Sequence, residues 1–301
     1  MRVAITGATG FLGRYIVRHL ASDSHTCRCW YRADSDRGGF EGAESRIEWL
    51  PGDLTDEKSM QELVLGMDAV VHAALHRPGA GFRGVEGDLP TFVERNVLGT
   101  IRLIEAARRA KVERFVFIST CAVHEVILGD RKLDEAHPLW PTSHYGAHKA
   151  AIEKFIHSYG LGQGYQICSL RPTGIYGLAR PARASKWFDL VQAVVRGERI
   201  ASDRGGKGVH AEDVAKAVGI VLRASGIAGQ AYNCYDMYVA DEHVAAIAKR
   251  LTGSPSVIEK LNRGPKHQID TFKLHALGMT FGGAARLEET VQQMVSLRGS
   301  A

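Results

Sequence analysis

Tyr145 and Lys149 stand four residues apart in the run Tyr145-Gly146-Ala147-His148-Lys149, a spacing that places them on one helix face, one turn apart. A phenol titrates at about pH 10 and is a poor base near neutrality. A neighbouring ammonium favours the phenolate and brings proton transfer within reach. Such a phenol can take a proton from an alcohol or return one to a ketone. Ser119-Thr120 closes the apolar run that starts at Phe115, and a hydroxyl at that strand end can hydrogen-bond the same oxygen. Thr120, Tyr145 and Lys149 are therefore the candidate catalytic residues, with Thr120 and Tyr145 also touching substrate.

A phenol and an ammonium move protons; a second motif points to the partner that would move hydride. Thr6-Gly7-Ala8-Thr9-Gly10-Phe11-Leu12-Gly13 follows the apolar run Arg2–Thr6 and opens a helical pattern. Gly7 permits a tight turn, Gly10 lets backbone approach a diphosphate, and Gly13 lets helix pack on strand. The helix N-terminus then offers amides and a partial positive charge to the phosphates. Gly7, Thr9, Gly10, Phe11, Leu12 and Gly13 are thus candidate contacts to a nicotinamide dinucleotide, and Lys149 and Tyr145 would meet its ribose. The second strand ends Trp30-Tyr31-Arg32, with no acid where NAD-binding folds place one for the ribose hydroxyls. Arg32, helped by Arg37, can fork onto a 2′-phosphate and stack on adenine. NADP is the expected cofactor, NAD the alternative, with Asp34 as the residue that would serve NAD.

These residues need elements to hold them. Short β-branched runs at Arg2–Thr6, Thr26–Tyr31, Ile47–Leu50, Ala69–His72, Phe115–Ser119 and Gln166–Leu170 alternate with helical patterns. Phe11–Ala21 and Thr91–Lys111 carry apolar residues at helical spacing. Such alternation gives an α/β fold, a doubly wound parallel sheet of the Rossmann type. After Arg171 the texture changes to a Gly-, Pro- and Arg-rich stretch over 172–184, then helices near 186–196, 211–223, 241–251 and 287–297, with one strand at Ala231–Tyr235. The expected division is a dinucleotide-binding domain over 1–171 with 209–236 returning to it. A smaller substrate-binding region would comprise 172–208 and 237–301.

The 301 residues are 45% hydrophobic and 24% charged, the balance of a soluble globular chain. No apolar run is long enough to span a bilayer, and no signal-like segment opens the chain, so a cytoplasmic protein without a membrane partner is expected. The net charge of +5 comes without a basic stripe, which argues against nucleic acid and for small anionic ligands. The five cysteines, Cys27, Cys29, Cys121, Cys168 and Cys234, lack metal-site spacing; no metal is expected.

The chain resembles the extended short-chain dehydrogenase/reductases, the group that contains NAD-dependent sugar epimerases and dehydratases. The resemblance runs through Thr6–Gly13, Gly52-Asp53-Leu54, Val71-His72-Ala73-Ala74, Asn96-Val97-x-Gly99-Thr100, Ser119-Thr120, Tyr145 with Lys149, Arg171-Pro172-x-x-x-Tyr176-Gly177 and Val209-His210-x-x-Asp213. It implies that Asp53 and Leu54 contact adenine and that Ala73 and Ala74 line ribose and diphosphate. Asn96 would brace the active-site helix, and Pro172 and Thr173 would shape the nicotinamide pocket. Where dehydratases of the group carry Asp-Glu after the catalytic Thr, this chain has Cys121-Ala122, which speaks against water elimination. The Asn and Arg that serve nucleotide-sugar members are missing after Arg171-Pro172 and before Val209-His210. Cations still gather at Arg77, Arg83, Arg180, Arg183 and Lys186, and Arg77, Arg180 and Arg183 are candidate contacts to an anionic, sugar-like substrate. The expected activity is hydride transfer at a secondary alcohol or ketone. A sugar epimerase would use the same residues, and a non-catalytic cofactor sensor would lack the Tyr or Lys present here. Thr91–Lys111 and Ser143–Tyr159 carry apolar faces which, in the group, pair across a two-fold axis, so a homodimer is expected.

Overall fold

The computed structural model describes residues 1–78 and 86–297, and the chain clusters into two compact units. The first comprises Met1–Pro172, Val214–Cys234 and Ile269–Met279; the second comprises Thr173–Asp213, Tyr235–Gln268 and Thr280–Ala301. Arg83 lies outside the described residues.

The first unit opens with β1 (Arg2–Thr6), α1 (Phe11–Ser22), β2 (Thr26–Tyr31), β3 (Ile47–Pro51), α2 (Glu57–Val64) and β4 (Ala69–His72). Next come α3 (Leu89–Val93), α4 (Gly99–Arg109), β5 (Arg114–Ile118), α5 (His144–Leu161) and β6 (Gln166–Pro172). The chain then forms β7 (Gly174–Tyr176), α6 (Phe188–Val195), β8 (Gly205–His210), α7 (Ala211–Arg223) and β9 (Gln230–Cys234). It closes with β10 (Met237–Ala240), α8 (Asp241–Thr252), α9 (Phe272–Ala276) and α10 (Gly283–Ser296).

Seven strands of the first unit form one sheet in the order β3-β2-β1-β4-β5-β6-β9, every pair parallel. Its central strands are nearly continuous apolar runs, as a sheet covered on both faces requires: Val3, Ala4 and Ile5 of β1 and Ala69–Val71 of β4 are fully buried. Leu103, Ile104 and Ala107 of α4 and Ile152 and Ile156 of α5 pack on one side of it. The Rossmann-type doubly wound fold expected from the sequence is therefore present. Strand order reverses between β1 and β4, the point where dinucleotides bind in such sheets. The strand expected near 231–235 is β9, parallel to β6 with Leu170 opposite Tyr232.

Two features depart from the sequence expectation. The helix read over Thr91–Lys111 is three pieces, α3, a π-helical turn over Glu94–Leu98, and α4. The second unit contains a three-stranded sheet, β10-β8-β7, where helices and loops were expected. Its strands carry no alternating pattern, because β8 begins Gly205-Gly206-Lys207-Gly208 and β7 has only three residues. A Cβ on Gly205 would lie 2.4 Å from the Tyr238 hydroxyl, so a larger residue there would have to displace the end of that side chain. The core of this unit joins Val191 and Val194 of α6, Val244 and Ala248 of α8, and Leu287 and Val291 of α10.

Candidate active site

Gly7 holds φ +73°, the left-handed region that glycine enters without strain. A Cβ there would lie 2.7 Å from the Ala73 carbonyl carbon and the Ala74 amide nitrogen, and one on Gly13 only 2.0 Å from the Gly7 carbonyl oxygen. The β1–α1 turn thus presses against the backbone following β4, bringing two of the predicted segments together. Gly10 begins α1 without a side-chain cap and is exposed. The first-turn amides of Phe11, Leu12 and Gly13 therefore have neither an intrahelical acceptor nor a capping side chain, as phosphate binding requires. This uncapped, glycine-lined cradle at the switch point fits a dinucleotide.

A buried chain of hydrogen bonds fixes the cradle, and each proton in it can be assigned. Thr100 Oγ1 donates to the Asn96 carbonyl at 2.6 Å, so it must accept from His72 Nε2, 2.8 Å away. His72 Nδ1 is then the acceptor for Thr6 Oγ1 at 2.6 Å, and Thr6 Oγ1 accepts from the Ala74 amide at 3.2 Å. Burial pushes His72 down to about 3, so the ring stays neutral and this tautomer persists. The Asn96 side chain receives the His76 amide and donates to the His76 and Phe92 carbonyls. The bracing expected of Asn96 falls on the loop after β4, and it coincides with the π-helical turn that carries this residue.

On α5, Tyr145 is half-buried and Lys149 is buried. Lys149 Nζ donates to the Ile118 carbonyl at 2.7 Å and lies 4.4 Å over the Phe117 ring. Burial lowers its ammonium to about 7, opposed by the charge of Glu153. Thr120, just past β5, accepts at Oγ1 from the Ala122 amide. A Cβ on Gly146 would lie 2.6 Å from the Ala122 carbonyl, so α5 and the segment after Thr120 are in close contact. The start of α5 is fixed twice. Ser143 caps it by accepting from the Gly146 amide, and Glu125 accepts from the amides and hydroxyls of both Thr142 and Ser143. His148, unremarked in the sequence, is buried between the Phe92 edge at 4.9 Å and the Tyr145 ring at 5.4 Å.

Sequence reasoning missed the ionic cluster behind these residues. Arg171 and Glu153 are each 1% exposed and meet at 2.6 Å, and Ser119 Oγ donates to the same carboxylate at 2.5 Å. Arg171 also donates to His124 Nε2 and the Glu135 carbonyl. The signal was available: Glu153 falls one turn beyond Lys149, and a buried cation always needs a partner. Cys121 donates its thiol to the Arg171 carbonyl at 2.9 Å, and burial raises it to about 12. It stays protonated at neutral pH and cannot act as a base.

Asp53 accepts from the Thr55 amide and hydroxyl, a turn closure, and Leu54 is buried beneath Gly99. Arg32 is exposed and paired with Asp34 at 3.5 Å, while Arg37 stacks 4.5 Å over Tyr31. Thr9 offers its carbonyl to Arg14, which also pairs with Asp36 at 3.2 Å. Pro172 ends β6 in the first unit. Thr173 opens the second, its hydroxyl buried without a partner. Arg77 is exposed in the first unit; Arg180 and Arg183 are exposed in the second. Among the described residues no His, Cys, Asp and Glu group could hold a metal, and no helix is long and apolar enough to cross a membrane.

A parallel sheet with a glycine cradle at its switch point and a Tyr–Lys pair on the helix beside it defines an enzyme of the extended short-chain type. The comparisons agree: the model of the NAD dependent epimerase/dehydratase family matches residues 3–234, and the chain belongs to that family. It is similar to the low-salt glycan biosynthesis protein Agl12 of Haloferax volcanii, 29% identical over 92% of this chain and 93% of that one. It is also similar to a 3-beta-hydroxysteroid dehydrogenase of Mycolicibacterium neoaurum, 30% identical over 64% of this chain and 52% of that one. Among solved structures, the NAD complex of UDP-glucose 4-epimerase from Thermus thermophilus covers 100% of both chains at 25% identity, with a TM-score of 0.78.

Proposed function

We propose that this enzyme transfers hydride between a nicotinamide cofactor and a secondary alcohol or ketone of a sugar-like, anionic substrate, with Thr120, Tyr145 and Lys149 as its reacting set. The observation that carries this reading is the docking of Lys149 on the Ile118 carbonyl, which ties the helix bearing Tyr145 to the strand end bearing Thr120. When bound, the nicotinamide ring supplies or accepts the hydride. The Tyr145 phenol moves the proton of the reacting oxygen, and the Thr120 hydroxyl hydrogen-bonds that oxygen. Lys149 keeps a positive charge beside the phenol and holds ribose hydroxyls. Gly7, Thr9, Gly10, Phe11, Leu12 and Gly13 cradle the diphosphate, with Ala73 and Ala74 along it. Asp53 and Leu54 lie toward adenine, Asn96 acts through the loop after β4, and Pro172 and Thr173 belong to the nicotinamide side.

Arg32 and Arg37 support NADP over NAD, since neither strand-end residue is an acid and two guanidinium groups crown the loop. Removing one charge-assisted contact is worth about 1.5–3 kcal/mol. Arg32→Ala should therefore lower kcat/KM with NADPH by roughly tenfold or more and leave NADH little changed. Equal losses with both cofactors would refute the preference. Arg77, Arg180 and Arg183 support an anionic substrate; calorimetry with neutral and anionic sugar analogues tests it, and equal affinities would refute it. Exposed Leu98, Val93 and Phe155 support a homodimer, checked by sedimentation at micromolar concentration.

A second reading, epimerisation with the same residues, is favoured by full-length similarity to a UDP-glucose 4-epimerase. A substrate screen followed at the absorbance of reduced nicotinamide separates the two. Net oxidation or reduction marks a dehydrogenase, whereas product without net cofactor change marks an epimerase.

A further inference from the structure

Glu153 and Arg171 are an ion pair taken wholly out of water, and such a pair is often no more stabilising than apolar side chains of the same volume. The reaction described above gives it no part, yet it touches every element of the reacting set. Glu153 lies one helical turn past Lys149 on α5. Arg171 ends in three hydrogen bonds to that carboxylate from β6. Ser119, which donates to Glu153, is the residue before Thr120.

The titratable groups around Lys149 are few. Tyr145, His148 and Glu153 lie on its own helix, His72 on β4 and Arg171 on β6; β5 presents only the Phe117 ring and the Ile118 carbonyl. Burial holds His72 and His148 near 3, hence neutral. Among the described residues, Glu153 is therefore the one anion positioned to support the Lys149 ammonium, and Arg171 and Ser119 hold that anion in place.

We propose that Glu153 is a positioning residue of the hydride-transfer site. Its carboxylate, clamped by Arg171 and Ser119, keeps Lys149 in the ammonium form and fixes the strand end that carries Thr120. The proposal rests on the role given to Lys149 above. Burial already brings Lys149 down to about 7, so loss of its counter-charge would empty the ammonium form at working pH.

The test is a direct titration of Lys149. The side-chain carbon shift is followed against pH in 13C-lysine-labelled protein, with the signal assigned by its absence in Lys149→Met. Glu153→Gln alone leaves Arg171 as an unpaired buried charge, so the double variant Glu153→Gln/Arg171→Met is used, which removes both charges at similar volume. Its Lys149 midpoint should fall by about one pH unit, a tenfold loss of ammonium above the midpoint, and the alkaline limb of kcat/KM should fall with it. Glu153→Asp keeps both charges and withdraws the carboxylate by one methylene; its midpoint should fall less, in the same direction. An unchanged midpoint in either folded variant overturns the proposal and leaves the pair purely structural. Wild-type turnover in Lys149→Met overturns instead the role of Lys149, whatever the midpoints show.

Discussion

At the scale of single residues, the site is held by buried polar groups whose partners are fully specified. The path from the Ala74 amide through Thr6, His72 and Thr100 to the Asn96 carbonyl allows one assignment of protons. Thr100→Val is nearly isosteric but strands the His72 Nε2 proton in an apolar interior. Chemical denaturation should register a loss of about 1–3 kcal/mol, with weaker dinucleotide binding because His72 no longer holds Thr6 as firmly against the Ala74 amide. No loss of stability would mean that His72 pairs elsewhere. Tyr145, Lys149, Thr120 and the glycines of the β1–α1 turn stand out as candidates in the sequence because their residue types carry chemistry at a fixed local spacing. Glu153, Ser119 and Arg171 were harder to read as a unit. They join three elements separated by 34 and 18 positions along the chain, and only the parallel register of β5 and β6 brings them together.

At the scale of elements, the turn from β1 into α1 is the most constrained part of the fold. Gly7→Ala would need both a left-handed backbone and a Cβ 2.7 Å from the Ala74 nitrogen. Left-handed strain alone is of order 1–3 kcal/mol. The variant should therefore lose dinucleotide affinity at least tenfold by fluorescence titration; unaltered affinity would show that the turn is not the cradle. The strands of the large sheet and helices α1 and α5 were readable from periodicity. The second sheet was not, because half of β8 is glycine and its neighbours are three and four residues long. The π-helical turn at Asn96 was equally silent, since the side-chain bonds that accompany it reach a loop 20 residues earlier. Glycine at 205 and asparagine at 96 each answer to tertiary contacts rather than to a local pattern.

At the scale of the whole molecule, buried histidines set the response to acid. Burial holds His72 and His148 at about 3 and His124 and His210 at about 4, against 6.5 for the free group. Their folded values are depressed, so the stability they contribute is present above 6.5 and is lost as pH falls toward the folded values. Each should remove about 2 kcal/mol by pH 5. Denaturant midpoints measured from pH 7.5 to pH 5 should fall steeply below about 6.5, and a flat profile would mean that these rings take up protons in the folded state. Within the same molecule, the proposed function gives the protons of catalysis to Tyr145. The most direct test is single-turnover hydride transfer by wild type and Tyr145→Phe, using the best substrate from the screen, with cofactor affinity measured in parallel. Turnover in the variant should drop by roughly 10²- to 10⁴-fold while cofactor binding stays within a few-fold; turnover equal to wild type would contradict the assignment of Tyr145 as the proton-transfer residue.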